Sequence, residues 1–287
     1  MPYEIWNRRY TGSKYKLANW IYEIIDTHCS GSSFCDIFAG TGIIAKTALN
    51  RMSKVVVNDF LYSNELIYKA FFMQSPYDKE KIEHYKDIFQ SLSAGDLKAN
   101  YISKNFGGKF FSLNDAVLIG EIREQIEAAK DLNEKERAIL IASLLYSADK
   151  IANTVGHYDA YIKGHSIQDK FRFDLISPYY TESQVKIYRE DANALAKSLD
   201  CDIVYIDPPY NSRQYSRFYH VLENIATWKK SELYGVALKP EPENMSEYCR
   251  ATALTAFTSL IEELKCKYIL VSYNNTYASK SLSLIHI

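Results

Sequence analysis

SFCDIFAGTGIIAKTALNRMSKVVVND, residues 33 to 59, decides how the rest of the chain is read. SFCDIF is a short apolar run that stops at the glycine pair of AGTG, GIIAKTALNRM has the apolar spacing of a helix, and KVVVND is a second buried-strand pattern ending at Asp59. FLYSNELIYKAFFMQ then supplies a second helix that stops before Pro76. Two strand–helix units in succession predict a parallel sheet, because parallel neighbours need a crossover between them.

On the N-terminal side, KYKLANWIYEII, from Lys14, has helical spacing. From about Pro76 to Pro178 the pattern changes to polar–apolar stretches of helical period, such as KEKIEHYKDIFQSLS and NEKERAILIASLLYSADKIAN, broken by Gly107, Gly108 and Gly156. The alternation then resumes with SQVKIYRED, a helix over ANALAKSL, the strand DIVYID, a helix through about Lys230, another over SEYCRATALTAFTSLIEELK and the strand YILVSYNN. The expected fold is therefore α/β, a sheet of at least five strands formed by residues 1–75 and 179–287, with a mostly helical insertion over 76–178.

Composition narrows the classes. A formal net charge of -1 announces no nucleic-acid binder, so any basic surface must come from segregation of charge, as in Arg8, Arg9, Lys14 and Lys16 against Glu4, or Arg213, Arg217, Lys229 and Lys230 against Glu223. Ordinary solvated faces are the competing reading of both windows. The 24 tyrosines outnumber the 13 phenylalanines, which supplies stacking faces with a polar handle. Five cysteines fall in no metal-ligand spacing and read as reduced core residues, so no metal site is expected. MPYEIWNRRY has no apolar signal core and no run is long enough to span a bilayer, so a cytoplasmic location is expected.

Two motifs carry chemistry. In an open parallel sheet ligands bind beyond the carboxyl ends of the strands, where glycine turns let backbone approach them. DIFAGTG has neither the dinucleotide arrangement of glycines nor a phosphate-loop GK[ST], leaving another ligand or a plain strand-to-helix turn. Asp59, at the next strand tip, suits two ribose hydroxyls or a helix N-cap equally. DPPY, Asp207 to Tyr210, follows the strand DIVYI. Its prolines remove backbone donors and leave acceptors only, which suits a group that donates two hydrogens, such as an exocyclic amine, with Tyr210 stacked on its ring. A structural strand-ending turn is the alternative.

Together, DIFAGTG, VVVND and DPPY resemble the Dam-like alpha group of adenine-N6 DNA methyltransferases, with RYTGSKYKL ahead of the glycine turn and the insertion before DPPY in the family's order. The resemblance runs from about Tyr10 to Asn275. It implies a Rossmann-like S-adenosyl-L-methionine methyltransferase sheet with the insertion as target-recognition domain. Carried over residue by residue, Lys14 would meet the cofactor's methionine carboxylate, the Phe38, Gly40 and Gly42 turn would lie beside the methionine moiety, and Asp36 would support that end. Asp59 would take the ribose hydroxyls, and Asp191 with Ala192 the adenine. Asp207 and the Pro208 carbonyl would hold the target amino group, with Tyr210 on the flipped base. Asp191 read by itself is equally a helix N-cap, and Lys14 a solvated first turn.

The implied partner is double-stranded DNA. Arg213, Tyr215 and Arg217 of NSRQYSRFYH are the candidate DNA contacts, and His157 of NTVGHYDAYIKG is either a base reader or a packed loop histidine. Aspartate in DPPY favours adenine over cytosine, and the large insertion favours DNA over RNA. The continuation NSRQYSRFYHVLEN is similar to that of type II modification enzymes with short palindromic targets, implying a cognate restriction endonuclease and CATG as target. One departure stands out: the segment ASKSLSLIHI is unlike the family's closing segment, which keeps a shortened, inactive DNA- or cofactor-binding remnant as an alternative.

Overall fold

A computed structural model describes residues 2–164, 166–209 and 212–273, and the chain forms two compact units. The expectations for Tyr210 and for the ASKSLSLIHI segment lie outside the described residues. After a short 3-10 turn at Tyr15–Leu17 come α1 (Ala18–His28), β1 (Ser33–Asp36), α2 (Ile43–Ala48), β2 (Lys54–Asn58) and α3 (Tyr62–Phe72). Four helices follow: α4 (Lys79–Ser91), α5 (Tyr101–Phe106), α6 (Leu113–Ala128) and α7 (Glu134–Ile151). The chain then runs through β3 (Gln184–Tyr188), α8 (Ala192–Ala196), β4 (Ile203–Ile206), α9 (Tyr215–Phe218), α10 (His220–Thr227), α11 (Ala253–Glu263) and β5 (Tyr268–Val271).

The sheet unit comprises Gly12–Glu65, Tyr180–Ser216 and Glu243–Ile287. Its five strands are all parallel in the order β3-β2-β1-β4-β5, as the alternating pattern predicts. Strand β1 is central, with Cys35 in register with Val56 on one side and Val204 on the other. The three inner strands β2, β1 and β4 are buried beneath helices; Cys35, Val56, Val204 and Ile206 share one core with Leu195 of α8 and Phe257 and Leu260 of α11. Strand order reverses between β1 and β4. That crevice is where an open parallel sheet binds its ligand.

The strand starts are tied by one acid. Asp202 Oδ2 accepts from the Ser32 and Ser33 backbone N–H groups and the Ser33 hydroxyl, while Oδ1 pairs with Lys267 Nζ at 2.7 Å. Gly31 passes so close that a Cβ there would lie 2.4 Å from Asp202 Cβ.

The helical unit comprises Met1–Thr11, Leu66–Tyr179 and Arg217–Pro242. It thus takes in more chain than the 76–178 segment. The reason is hydrogen bonding that periodicity does not encode: Arg123 of α6 donates to the Ile225 and Ala226 carbonyls of α10, and the Tyr101 hydroxyl donates to Ser231 O at 2.7 Å. Helix starts here follow local chemistry, with reciprocal capping boxes at Asn100 with Ser103 and at Asn133 with Glu136. Arg8 is buried, and the Arg9 guanidinium donates to the Asp149, Ala152 and Thr154 carbonyls at the end of α7. Arg8 is thus no part of an open basic surface, and the half-buried Arg9 satisfies the C-terminus of α7.

The segment SEYCRATALTAFTSLIEELK, expected as one helix, divides. Ser246 caps a 3-10 turn at Glu247–Cys249, Arg250 is extended, and α11 begins at Ala253. The break lets Tyr248 and Cys249 turn inward and be buried, which one amphipathic helix face would not allow. Among the described residues no helix is long and apolar enough to cross a membrane.

Candidate active site

Three strand tips of the sheet unit are stitched together by a residue the sequence reading passed over. Asn58, buried at the end of β2, donates through Nδ2 to Ile37 O at 3.0 Å and Glu190 O at 3.1 Å, and accepts through Oδ1 from Glu190 N. The VVVND pattern drew attention to the acid beside it; a polar residue closing an apolar run was the available signal.

The glycine turn is built as its composition requires. Gly40 and Gly42 lie at φ 53° and 78°, the left-handed region that side chains disfavour. Gly40 N–H donates to Asp59 Oδ2 at 3.0 Å, and Asp59 Oδ1 accepts from Leu61 N–H at 2.9 Å. Phe38, half-buried in the same turn, meets Tyr248 edge-on with ring centroids 4.9 Å apart. The Tyr248 hydroxyl donates to Asn193 Oδ1 at 2.7 Å, two residues beyond Asp191. Tyr248 and Asn193 were not singled out in the sequence, since neither belongs to a motif.

Asp191 is the N-cap of α8: its Oδ1 accepts from Asn193 N and Ala194 N, and Ala192 is buried behind it. Both capping bonds fall on one oxygen. Asp36, at the tip of β1, uses Oδ2 to accept from Ala45 N in α2, while its buried Oδ1 has no hydrogen-bond partner among the described residues. Burial first and the charge of Asp207 second raise its pKa well above the usual carboxylate range.

Asp207 follows β4, directly beside the β1 tip. Its Oδ2 accepts from Lys14 Nζ at 2.5 Å, both side chains being 13 % exposed. Its Oδ1 is buried and lacks a partner among the described residues. Burial pushes the Asp207 carboxyl up to about 6, with the Lys14 ammonium pulling against it. Pro208 is buried and Pro209 half-buried.

The candidate DNA contacts divide between the units. In the sheet unit Arg213 is exposed, and Tyr215 opens α9 with its hydroxyl 3.4 Å from where a Cβ on Gly12 would stand. Between them Gln214 is fixed by reciprocal bonds to the Ser246 backbone. In the helical unit Arg217 is half-buried and donates to the Pro240 carbonyl, and the His157 ring stacks on Phe218 at 4.6 Å and 9°.

A sheet with two unsatisfied carboxylate oxygens at its switch point and an acceptor-only turn after β4 is an arrangement for a cationic, hydrogen-donating ligand. The model of the family described as D12 class N6 adenine-specific DNA methyltransferase matches residues 10–281. The chain belongs to that family. This adenine-specific DNA methyltransferase is 30% identical over 288 residues to Type II methyltransferase M.NlaIII of Neisseria lactamica, a match covering 93% of the chain and 83% of the relative. Against Type II methyltransferase M.CviAII of Paramecium bursaria Chlorella virus 1 it is 31% identical, again over 93% and 83%. Against Type II methyltransferase M.FokI of Planomicrobium okeanokoites identity is 33% over 93% of the chain, which there spans 44% of the relative. The family thus falls on the side of DNA rather than RNA.

Proposed function

We propose that the chain transfers the methyl group of S-adenosyl-L-methionine to N6 of an adenine extruded from duplex DNA, at a short specific sequence, as the modification partner of a type II restriction endonuclease. The observation that carries the reading is the Asp207 carboxylate at the β1/β4 switch point, with one oxygen held by Lys14 and the other buried and open. The cofactor fits the donor set. It is a donor-rich cation, and the tips of the sheet present carboxylates at Asp36, Asp59 and Asp191 around a glycine turn where backbone can come close.

When bound, S-adenosyl-L-methionine supplies an electrophilic methyl group on a sulfonium. Asp59 would accept from the ribose hydroxyls, and Asp191, with one oxygen outside its capping bonds, would accept from the adenine amino group. Phe38, Gly40, Gly42 and Ala192 would form the walls between them. Asp207 Oδ1 and the Pro208 carbonyl would each accept one N6 proton of the target base. That pairing draws the nitrogen lone pair out of the ring and aims it. Holding reactants in line is worth up to about 7 to 11 kcal/mol in well-oriented systems, and Tyr210 would hold the extruded ring. Extrusion costs about a few kcal/mol, so the helical unit is assigned to target recognition and duplex contacts, with His157 in it and Arg213 and Tyr215 beside DPPY, while Arg217, held on the Pro240 carbonyl, supports that region.

Labelled methyl transfer to unmethylated genomic DNA, with the modified nucleoside identified after digestion and its sequence context read, tests this directly. N6-methyladenine at one short motif, CATG being the expected one, supports the proposal. Random incorporation would remove the site-specific modification role. Asp207→Asn is expected to bind cofactor and lose transfer; retained transfer would overturn the role of Asp207.

A further inference from the structure

Resemblance assigns Lys14 to the cofactor's carboxylate, yet the structure engages it elsewhere. Lys14 Nζ lies 2.5 Å from Asp207 Oδ2 and also donates to Gly12 O at 3.2 Å. Gly12 adopts φ 83°, a left-handed turn open to glycine, just before the 3-10 turn at Tyr15–Leu17. The lysine is therefore held by its own loop at the one carboxylate that the chemistry needs.

We infer that Lys14 is a positioning residue that keeps Asp207 ionised and its Oδ1 turned to the target amino group; this rests on the role of Asp207 proposed above. The surroundings of Asp207 make such a residue necessary. Burial raises the Asp207 carboxyl, and the charge of Asp207 in turn raises Asp36 at the β1 tip and Tyr205 on β4, so Lys14 is the group that opposes burial there. A carboxylate in these surroundings takes up a proton unless a cation stands against it. Protonated, Asp207 would present a donor where two N6 protons require acceptors. Lys14 supplies the opposing charge and occupies Oδ2, leaving Oδ1 as the acceptor.

The test separates this role from cofactor binding and from the role of Asp207 itself. The Asp207 carboxyl carbon is titrated by NMR in the ligand-free protein, its signal assigned by loss in Asp207→Asn, for wild type, Lys14→Met, Lys14→Gln and Lys14→Arg. Calorimetry with S-adenosyl-L-methionine and kcat/KM against pH accompany it. The midpoint is expected near pH 6 in wild type, higher by about one to three units in Lys14→Met and Lys14→Gln, and back at the wild-type value in Lys14→Arg. The acid limb of kcat/KM is expected to move with it, so that the neutral variants regain rate as pH rises. An unmoved midpoint and acid limb, with cofactor affinity lost at every pH, would overturn the inference and return Lys14 to the carboxylate. Wild-type transfer by Asp207→Asn would instead bring down the reading of Asp207, whatever Lys14 does to its titration.

Discussion

Asp59 joins two backbone segments through one carboxylate: Oδ2 accepts from Gly40 N–H in the glycine turn, and Oδ1 from Leu61 N–H ahead of α3. Its place at the tip of β2 therefore shapes the turn as well as presenting charge. Asp59→Asn keeps one acceptor and is expected to weaken S-adenosyl-L-methionine binding by about tenfold, the worth of one charge-assisted bond, roughly 1.5 kcal/mol. Asp59→Ala removes both anchors and is expected to lower thermal stability as well. Calorimetry and a melting curve on each separate the two contributions; equal affinity in all three proteins would take Asp59 out of the cofactor site.

The Asp202 clamp governs stability in acid. Lys267 first, then the Ser32 and Ser33 N–H and hydroxyl donors, hold its carboxyl well below the usual range. A depressed folded pKa means that the clamp contributes fully above the unfolded value of about 3.9 and is lost as pH falls below it toward the folded value. Asp202→Asn is expected to lower Tm by about 4 to 8 °C at neutral pH, for a loss of roughly 2 kcal/mol in charge-assisted bonds. The difference from wild type shrinks as pH drops below about 4. A constant difference down to pH 2 would show that burial, not charge, holds this corner.

Tyr248 reaches the site through two contacts, its ring edge on Phe38 and its hydroxyl on Asn193. Tyr248→Phe preserves the first and deletes the second. Its expected effect is a loss of about fivefold in cofactor affinity, corresponding to roughly 1 kcal/mol for a neutral hydrogen bond, with kcat little altered. A fall in kcat at unchanged affinity would place Tyr248 on the target-base side instead.

Arg213 and Arg217 have similar sequence surroundings and different fates. Arg213 is exposed, so Arg213→Ala is expected to weaken duplex binding equally for specific and unrelated sequences and to reduce the slope of log K against log salt by about one. Arg217 is half-buried on the Pro240 carbonyl, and Arg217→Ala is expected to show mainly as lost stability. Filter binding across a salt series, with melting curves, tests both; an unchanged salt slope in Arg213→Ala removes it from the phosphate contacts.

Much of the catalytic unit was legible in the chain because its signals are local. Apolar runs of strand length ending in AGTG, at Asp59 and at DPPY specify parallel strands whose carboxyl ends carry the functional groups. The motif residues also identified the family. What the chain alone did not reveal depends on partners distant in sequence. Asn58 matters because it bonds to Glu190, 132 residues away, and Arg9 is tied to the end of α7 rather than displayed, since Asp149 and the carbonyls after it lie about 140 residues on. The pairing of Lys14 with Asp207 spans 193 residues. Periodicity and motif report what a residue's neighbours in sequence dictate; which charge faces which is settled only when the sheet brings the strand tips together, and here that decided the setting of the central carboxylate.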